Sequence, residues 1–442
     1  MNVTEALTDL GRFKHAVLIY RDRDGYPFSV ATNFTVVEEV VELAPAQTGI
    51  SPVAEGQDAQ LVFSRVHPQP GVGYDQRAYV ELTGTVSIAG PAWRFTAEKA
   101  RGWDENTLAF FELCERSLPQ ARRYLKSLSE ERGETVQPGM TTGWKLFLAT
   151  RAPFLTATLV PVFLGIAAAA YEHHFSFPLM LLTVLGAIAI HFGLNISNDI
   201  FDARSGADEY NVTPTMFSGG SRVMQYGLVS MRQMSLLCGL FYAIGIICGI
   251  ILVAKTGLGL LWLGLAGVLI SWFYTAPPFK LVHRGLGELA VAAGFGPIMV
   301  LGAYYVQTGH YTLRPLVLSI PVGILVMLIL YANEIPDRTA DARAGKRTLV
   351  VRLSPSAVVN GYIISASLAY VSLLVGVLVG LIPWPALGAL LTIPLAIQAA
   401  RGLRSHYDSP YEVMAALQTN VILHLATGVL LIAGTLAGKL SG

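Results

Sequence analysis

Two short stretches hold seven of the 11 acidic residues that follow residue 150. The first reads Asn198-Asp199-Ile200-Phe201-Asp202 and continues to Asp208 and Glu209. The second reads Asn333-Glu334-Ile335-Pro336-Asp337 and continues to Asp341. Residues three and four apart share a helix face. Asn195, Asn198, Asp199 and Asp202 therefore form one polar stripe, and Asn333, Asp337 and Asp341 form another, with Pro336 expected to bend or end its helix. Facing carboxylates repel unless a cation lies between them. An oxygen-only donor set without His or Cys favours Mg²⁺, which takes one or two carboxylates and leaves its other positions to phosphate and water. Either stretch alone could be a solvated helix end. The Asn-x-x-x-Asp start common to both favours a site. A phosphate-bearing ligand also needs basic partners. Arg222 follows Phe217-Ser218-Gly219-Gly220-Ser221, Lys280 closes Pro277-Pro278-Phe279-Lys280, and Lys346 and Arg347 follow the second acidic stretch. Gly345-Lys346-Arg347-Thr348 is not a P-loop, because position 340 is Ala and the Lys is followed by Arg.

The elements that must position these groups are legible in composition. Residues 1–150 hold 15 Lys/Arg and 19 Asp/Glu, so 34 of 150 are charged; residues 151–442 hold 16 and 11, so 27 of 292 are. Against roughly a quarter in soluble domains, the first part is ordinary and the second has membrane composition. A bilayer core takes about 20 helical residues to cross. Apolar stretches of about that length lie near 152–171, 177–197, 231–254, 257–275, 287–307, 315–333, 356–381, 385–401 and 412–437. They predict nine transmembrane helices, and they are continuously apolar rather than alternating as a membrane barrel requires. Loops on one side receive Arg204, Arg222, Lys280, Arg284, Arg338, Arg343, Lys346, Arg347, Arg352, Arg401 and Arg404; the other side receives Lys255, Arg314 and Lys439. The positive-inside rule makes the first side cytoplasmic, with both acidic stretches and the N-terminal part, and puts the C-terminus outside. The net charge is −4 before residue 151 and +5 after it, with no basic face for nucleic acid. Cys114, Cys238 and Cys248 have no metal-ligand or redox spacing. The first 30 residues, which mix charge with short apolar runs, show no secretory signal.

Residues 15–20, 27–37, 59–67 and 77–88 are rich in Val, Ile, Phe and Tyr between Gly or Pro turns and read as strands. Residues 104–132 place apolar side chains at helical spacing, with Pro119 expected to interrupt them. The expected architecture is a multi-pass all-α membrane bundle preceded by a soluble, β-barrel-like α+β domain. That domain spans 1–132, a linker 133–143, and the membrane domain 144–442.

Three stretches, NDIFDARSGAD (198–208), RGLGELAVAAGFGPIMVLGAYYVQTG (284–309) and DRTADARAGKRTLVVRL (337–353), carry a resemblance. Together with the helix count they resemble the UbiA superfamily of intramembrane prenyltransferases, most closely the branch that acts on 1,4-dihydroxy-2-naphthoate in menaquinone biosynthesis. The wider superfamily often has its third acidic residue where this chain has Gly206; the naphthoate branch is similar to this chain in placing it at Asp208. The resemblance implies a magnesium-dependent enzyme. Asp199, Asp202 and Asp208 would bind one Mg²⁺ and Asp337 and Asp341 another, and Asn198 and Asn333 would orient or join the two shells. A polyprenyl diphosphate would bridge the metals, with Arg222, Lys280 and Arg347 on its oxygens, and an aromatic acceptor would receive the prenyl group with loss of CO₂. Phe201, Tyr274 and Tyr331 are candidates to face an allylic cation through their π faces, although interfacial aromatics are common in any membrane protein. His191 shares the first stripe; it and His424 also read as packed core residues. The same reaction on a hydroxybenzoate, a porphyrin-type ring or a glycerol-phosphate lipid uses the same acidic clusters. A cation-coupled transporter, whose acids lie near the bilayer midplane, is the reading from another class. The N-terminal strand layout and YVELTGTVSI resemble flavin-binding split barrels, which implies FMN as a possible second cofactor; a cofactor-free accessory domain is the plainer expectation.

Overall fold

The computed structural model describes residues 1–22, 24–44, 54–69, 73–89 and 92–439. The chain divides into two compact units, Met1–Cys114 and Glu115–Gly442.

The first unit opens with helix α1 (Val3–Asp9) and continues as strands β1 (Ala16–Arg21), β2 (Pro27–Thr32), β3 (Phe34–Val37), β4 (Val40–Leu43), β5 (Gln57–Gln69), β6 (Gly73–Ala89) and β7 (Ala92–Asp104). All pair antiparallel in one sheet of order β2-β1-β5-β6-β7-β4-β3. The two edges of that sheet, β2 and β3, are separated in sequence by Asn33 alone. Two Cα steps reach about 7 Å, whereas six strand intervals of a flat sheet span about 29 Å. The sheet must therefore curl until its edges nearly meet, which makes it barrel-like. Leu18, Leu61, Phe63, Val80, Leu82, Val86 and Phe95 alternate inward and fill the interior. Strands β4 and β7 were not apparent in the sequence. Strand β7 carries polar or charged residues at six of its 13 positions, and its pairing with both β6 and β4 is what holds it in the sheet.

Helix α2 (Phe110–Arg132) runs through Pro119 without a break, contrary to the interruption expected there. The second unit continues with α3 (Thr142–Ala149), α4 (Thr156–Tyr171), α5 (Phe177–Ser205) and the short α6 (Ala207–Tyr210). There follow α7 (Met231–Thr256), α8 (Gly259–Phe273), α9 (Gly287–Ala293), α10 (Met299–Thr308) and α11 (Leu313–Arg343). The chain ends with α12 (Leu349–Arg352), α13 (Pro355–Leu378), α14 (Ile393–Ser405) and α15 (Met414–Gly438). Among the described residues, eight helices are long and apolar enough to cross a bilayer, α9 and α10 counting as one. Helix α8, with 15 residues, is the shorter ninth apolar helix. The protein is an integral membrane protein with a helical bundle and an N-terminal sheet unit.

Two helices exceed their expected ends. Helix α5 carries its whole acidic stripe on regular helix to Ser205, where Gly206 turns left-handed and stops it. Helix α11 continues through Pro336 to Arg343, so the helix does not end at Pro336. A proline removes one backbone donor, and this is the most buried of the long helices, so tertiary packing carries the helix past it. The centre of α11 meets the α9–α10 hairpin arm through backbone contact. A Cβ added at Gly323 would lie 2.7 Å from the Ala292 carbonyl oxygen and 3.0 Å from Gly296 Cα. Gly249, on α7, has open space around it. Gly323→Ala is therefore expected to lower the thermal midpoint in detergent, at a cost of about 1–3 kcal/mol from overpacking. Gly249→Ala should leave it unchanged or raise it, since alanine is the better helix former. Equal behaviour of the two variants in fluorescence-monitored melting would contradict this packing account.

Candidate active site

Helix periodicity puts Asp199 and Asp202 on one side of α5, and Glu334, Asp337 and Asp341 on one side of α11. The connecting segments then tie the two helices together. Asp199, Asp202, Asp208 and Asp341 are buried and Asp337 is half-buried. Lys346 emerges just after α11, where its ammonium lies 2.7 Å from Asp202 Oδ1 and 3.4 Å from Asp341 Oδ1. One cation thus spans the first and second acidic stretches. Burial works against that ammonium, but Asp202 and Asp341 outweigh it and hold its pKa above the ordinary lysine value.

The Gly-rich loop forms a second bridge. Ser221 N–H donates to Asp199 Oδ2 at 3.2 Å, and Gly219 N–H donates to Asp337 Oδ2 at 2.9 Å. Asn211 Nδ2 donates to the other Asp337 oxygen at 2.8 Å. Amides two residues apart in one loop therefore hold one carboxylate from each helix. Gly219 and Gly220 both have positive φ, 79° and 75°, which is the conformation that glycine favours. At Gly220 a side chain is also excluded by space. A Cβ there would lie 3.0 Å from Asp208 Oδ1, 3.3 Å from Arg151 Nη2 and 3.4 Å from Asp199 Oδ1. Asp208, Asp199 and Arg151 thus ring a small cradle.

Arg151, which the sequence reading did not single out, forms an ion pair with Asp199. Burial opposes its charge, yet Asp199, with Asp208 and Asp202 behind it, raises its pKa. Asp208 is pushed well above the usual carboxylate range, first by burial and then by Asp202 and Asp199, with Arg151 and Lys346 opposing. The five aspartates face two basic groups, so the site carries more carboxylates than it neutralises. Glu288 and Glu334 add to the excess. Both are 5% exposed, and Glu288 Oε2 and both oxygens of Glu334 have no well-formed hydrogen bond; Glu288 Oε1 accepts from Leu349 N–H at 3.1 Å. Glu288 was visible in the sequence only as one acid in an otherwise apolar stretch.

Among the described residues, no three His, Cys, Asp or Glu side chains are gathered as a ready-made metal cage. The facing carboxylates hold Lys346 and Arg151 between them instead. The chemistry of the donor set still fits Mg²⁺, which needs one or two hard carboxylates and takes the rest of its shell from phosphate and water. The carboxylate excess and the Gly220 cradle are where such an ion and its phosphate ligand would be held.

The other expected residues fall into distinct positions. Asn198 and Asn333 are half-buried on the same helices as the acids. Arg222 is buried, ion-paired to Glu115 and donating to the Asp208 carbonyl, while its Nε has no hydrogen-bond partner among the described residues. Lys280 and Arg347 are exposed, and among the described residues neither forms an ion pair with the carboxylates. Phe201 packs edge-on to Trp272 with Arg204 over its ring. Tyr331 donates to the Val358 carbonyl at 3.2 Å inside a hydrophobic cluster. His424 is core, 3.3 Å from the Thr156 carbonyl. His191 contacts the Thr158 hydroxyl at 2.7 Å, and its Nε2 has no partner.

His191 and Tyr274 also line a cavity of about 660 Å³ whose remaining walls, from α4, α5, α7, α8 and α10, are almost wholly apolar. On α5 the lining residues His191 and Leu194 precede Asp199 by eight and five residues, about 12 and 8 Å along the helix. The polar end of the cavity therefore adjoins the carboxylate cluster.

Residues 158–432 match the model of the UbiA prenyltransferase family. The chain is 30% identical over 294 residues to a 2-carboxy-1,4-naphthoquinone phytyltransferase of Synechocystis sp., covering 66% of this chain and 92% of that one. It is 32% identical over 288 residues to a 1,4-dihydroxy-2-naphthoate octaprenyltransferase of Mycobacterium tuberculosis, covering 65% and 95%. The fold is also similar to the solved structure of a UbiA homolog from Archaeoglobus fulgidus bound to DMAPP and Mg²⁺, at 15% identity and a TM-score of 0.48, over 65% of this chain and 99% of that one. The family match begins at residue 158 and lends no support to FMN, the possible second cofactor of the N-terminal unit.

The bridging role of Lys346 is testable without substrate. Removing one partner from a buried ion pair costs about 3–5 kcal/mol. Lys346→Gln should therefore melt well below the unsubstituted protein in EDTA, and Mg²⁺ should restore part of the loss by replacing the missing positive charge. A variant that melts normally in EDTA would show that the carboxylates do not depend on this ammonium.

Proposed function

The chain belongs to the UbiA prenyltransferase family, and from that premise we propose that it transfers a polyprenyl group from an allylic polyprenyl diphosphate to 1,4-dihydroxy-2-naphthoate. The observation that carries the reading is the convergence of the α5 and α11 carboxylates, with Lys346 between Asp202 and Asp341 and two amides of one loop on Asp199 and Asp337. Acids from separated parts of the chain form one anionic site at one end of the bundle. Hard carboxylates in excess favour a divalent cation with a phosphate ligand, and an apolar cavity adjoins them.

Asp199, Asp202 and Asp208 would hold one divalent ion and Asp337 and Asp341 the other, with Asn198 and Asn333 beside them. When bound, the ions stabilise negative charge on the leaving diphosphate. The ammonium of Lys346 and the guanidinium of Arg151 supply positive charge at the same place, and the exposed Lys280 and Arg347 stand at the rim. The allylic C–O bond breaks with its electron pair going to diphosphate. The ring carbon that bears the carboxylate forms the new C–C bond, and loss of CO₂ returns the electron pair to the ring without release of a proton. The cavity between α4, α5, α7, α8 and α10 receives the prenyl tail and keeps water from the allylic cation. His191 and Tyr274 stand where the tail meets the diphosphate, and the Tyr274 ring can face the cation.

The acceptor is taken from what the two relatives are named for, and the donor-handling residues do not select it. Membranes containing the full chain, supplied with Mg²⁺, a polyprenyl diphosphate and dihydroxynaphthoate, are expected to yield a prenylated, decarboxylated product. Turnover with a hydroxybenzoate, a porphyrin-type ring or a glycerol-phosphate lipid, but none with the naphthoate, would transfer the assignment to that acceptor. Asp202→Asn and Asp337→Asn should each reduce metal-dependent pyrophosphate release by about 100-fold; unaltered release in both would sink the metal-site reading.

We place the active-site end on the cytoplasmic side with the C-terminus outside, because 13 of the 16 basic residues after residue 150 flank that end and three the other. A cysteine introduced at His310 should react with a membrane-impermeant maleimide added to intact cells, and one introduced at Lys280 should not. The opposite pattern would invert the topology.

A further inference from the structure

We propose that Glu115 is a positioning residue for the donor site, acting from α2 through Arg222 and Tyr226 to hold Asp208 in place. The inference rests on the prenyl-diphosphate reading above and deepens it, because it concerns how one of the proposed metal ligands is oriented.

Glu115 is 7% exposed and Arg222 6% exposed. Their ion pair is the most deeply buried one on α2. The second Glu115 oxygen accepts a hydrogen bond from the Tyr226 hydroxyl, and the Arg222 guanidinium lies 5.9 Å from the centre of the Tyr226 ring. Arg222 itself has φ of +60°, a conformation disfavoured for a residue with a side chain, so its backbone is held by its surroundings. The other arm of its guanidinium donates to the Asp208 carbonyl. Seven residues after Glu115, on the same face of α2, Arg122 donates through Nε and Nη2 to the Gln225 carbonyl, at 3.1 and 2.7 Å. Its Nη2 also lies 3.5 Å from Glu209. Gln225 in turn donates through Nε2 to Asp208 Oδ2 at 3.0 Å.

Two routes therefore run from α2 to Asp208. Glu115 reaches its backbone through Arg222, and Arg122 reaches its side chain through Gln225. With Oδ2 held, Oδ1 is the oxygen left facing the Gly220 cradle, beside Asp199 and Arg151. Burying a charge pair in a bundle is costly, and such pairs are often no more stabilising than an apolar replacement. Fixing a ligand's orientation accounts for retaining one here, since residues that hydrogen-bond a metal ligand set its geometry and affinity. Glu115 and Arg122 precede the family match, which begins at residue 158. Arg222, Gln225 and Asp208 lie within it, so the brace joins α2 to residues of the matched region.

The test uses the full chain in detergent, with Mn²⁺ and inorganic pyrophosphate as the probe and electron paramagnetic resonance as the readout of bound metal. Glu115→Gln keeps the shape of the side chain and removes its charge. It is expected to weaken pyrophosphate-dependent Mn²⁺ binding by about tenfold. In turnover it should raise the KM for the prenyl diphosphate by a similar factor while kcat and the acceptor KM stay within about twofold, as removal of donor binding alone requires. Gln225→Met, which cuts the second route without touching a buried charge, should give the same split, and it decides the matter if Glu115→Gln does not fold. Full-strength Mn²⁺ binding in these variants, with only the melting temperature lowered, would reduce Glu115 to a structural residue and overturn the inference while leaving the donor site standing. Failure of the unsubstituted protein to bind Mn²⁺ with pyrophosphate would overturn the donor-site reading, and this inference with it.

Discussion

Like charges brought together in a low-dielectric bundle are the constraint that the rest of this site answers to. Asp202 and Asp341 come from helices far apart in the chain, and they can share a neighbourhood only because the Lys346 ammonium lies between them. The same problem is met at Asp199 by Arg151 and by a loop amide, and at Asp337 by an asparagine and another amide. Each carboxylate is thus held by groups that a bound divalent ion and its phosphate could relieve. An anionic site that is merely neutralised would be a costly way to pack two helices. One that holds its carboxylates in excess of its bases is prepared for cations.

This arrangement explains the division of labour among the elements. Helices α5 and α11 are the long, regular ones, and they supply acids at helical spacing on fixed faces. The segment between α6 and α7 is irregular, and it supplies backbone donors where no side chain would fit, as the Gly220 cradle shows. Rigid elements set the ligand positions, and a loop with left-handed glycines approaches closely enough to hold them. The cavity beside the cluster is lined almost wholly by apolar side chains and needs no such precision, because apolar groups pack by volume and not by direction.

Much of this was legible in the sequence because it rests on period and charge. Apolar length gave the bundle, and i, i+3 and i, i+4 spacing placed Asp199 with Asp202 and Asp337 with Asp341. The failures are equally specific. Pro336 looked like a helix end because proline removes a backbone donor, yet packing around α11 overrides that local preference. Arg222 is basic and follows a glycine-rich loop, but its partner, Glu115, is 107 residues away and could not be inferred from the local pattern. Arg151 was passed over because it precedes the first apolar stretch, where a basic residue reads as an interfacial anchor. Strand β7 was missed because its alternation is weak and its place depends on partners on both sides. In each case the missing information was a long-range contact, which sequence spacing does not encode.

Arg222 and Lys346 are held differently. The Arg222 guanidinium is engaged by a buried carboxylate, a tyrosine ring and a main-chain carbonyl, whereas Lys346, set between two carboxylate oxygens, carries three donors on a flexible stem and can exchange between them. Arginine therefore serves here as a fixed strut and lysine as the movable charge. The difference follows from the chemistry of the two side chains: a planar fork suits permanent, directional bonds, and a compact ammonium suits exchange between oxygens. On that reasoning the proposed diphosphate would meet the ammonium found between two carboxylates, and the arginine near it would act by keeping the proposed metal ligand Asp208 in place.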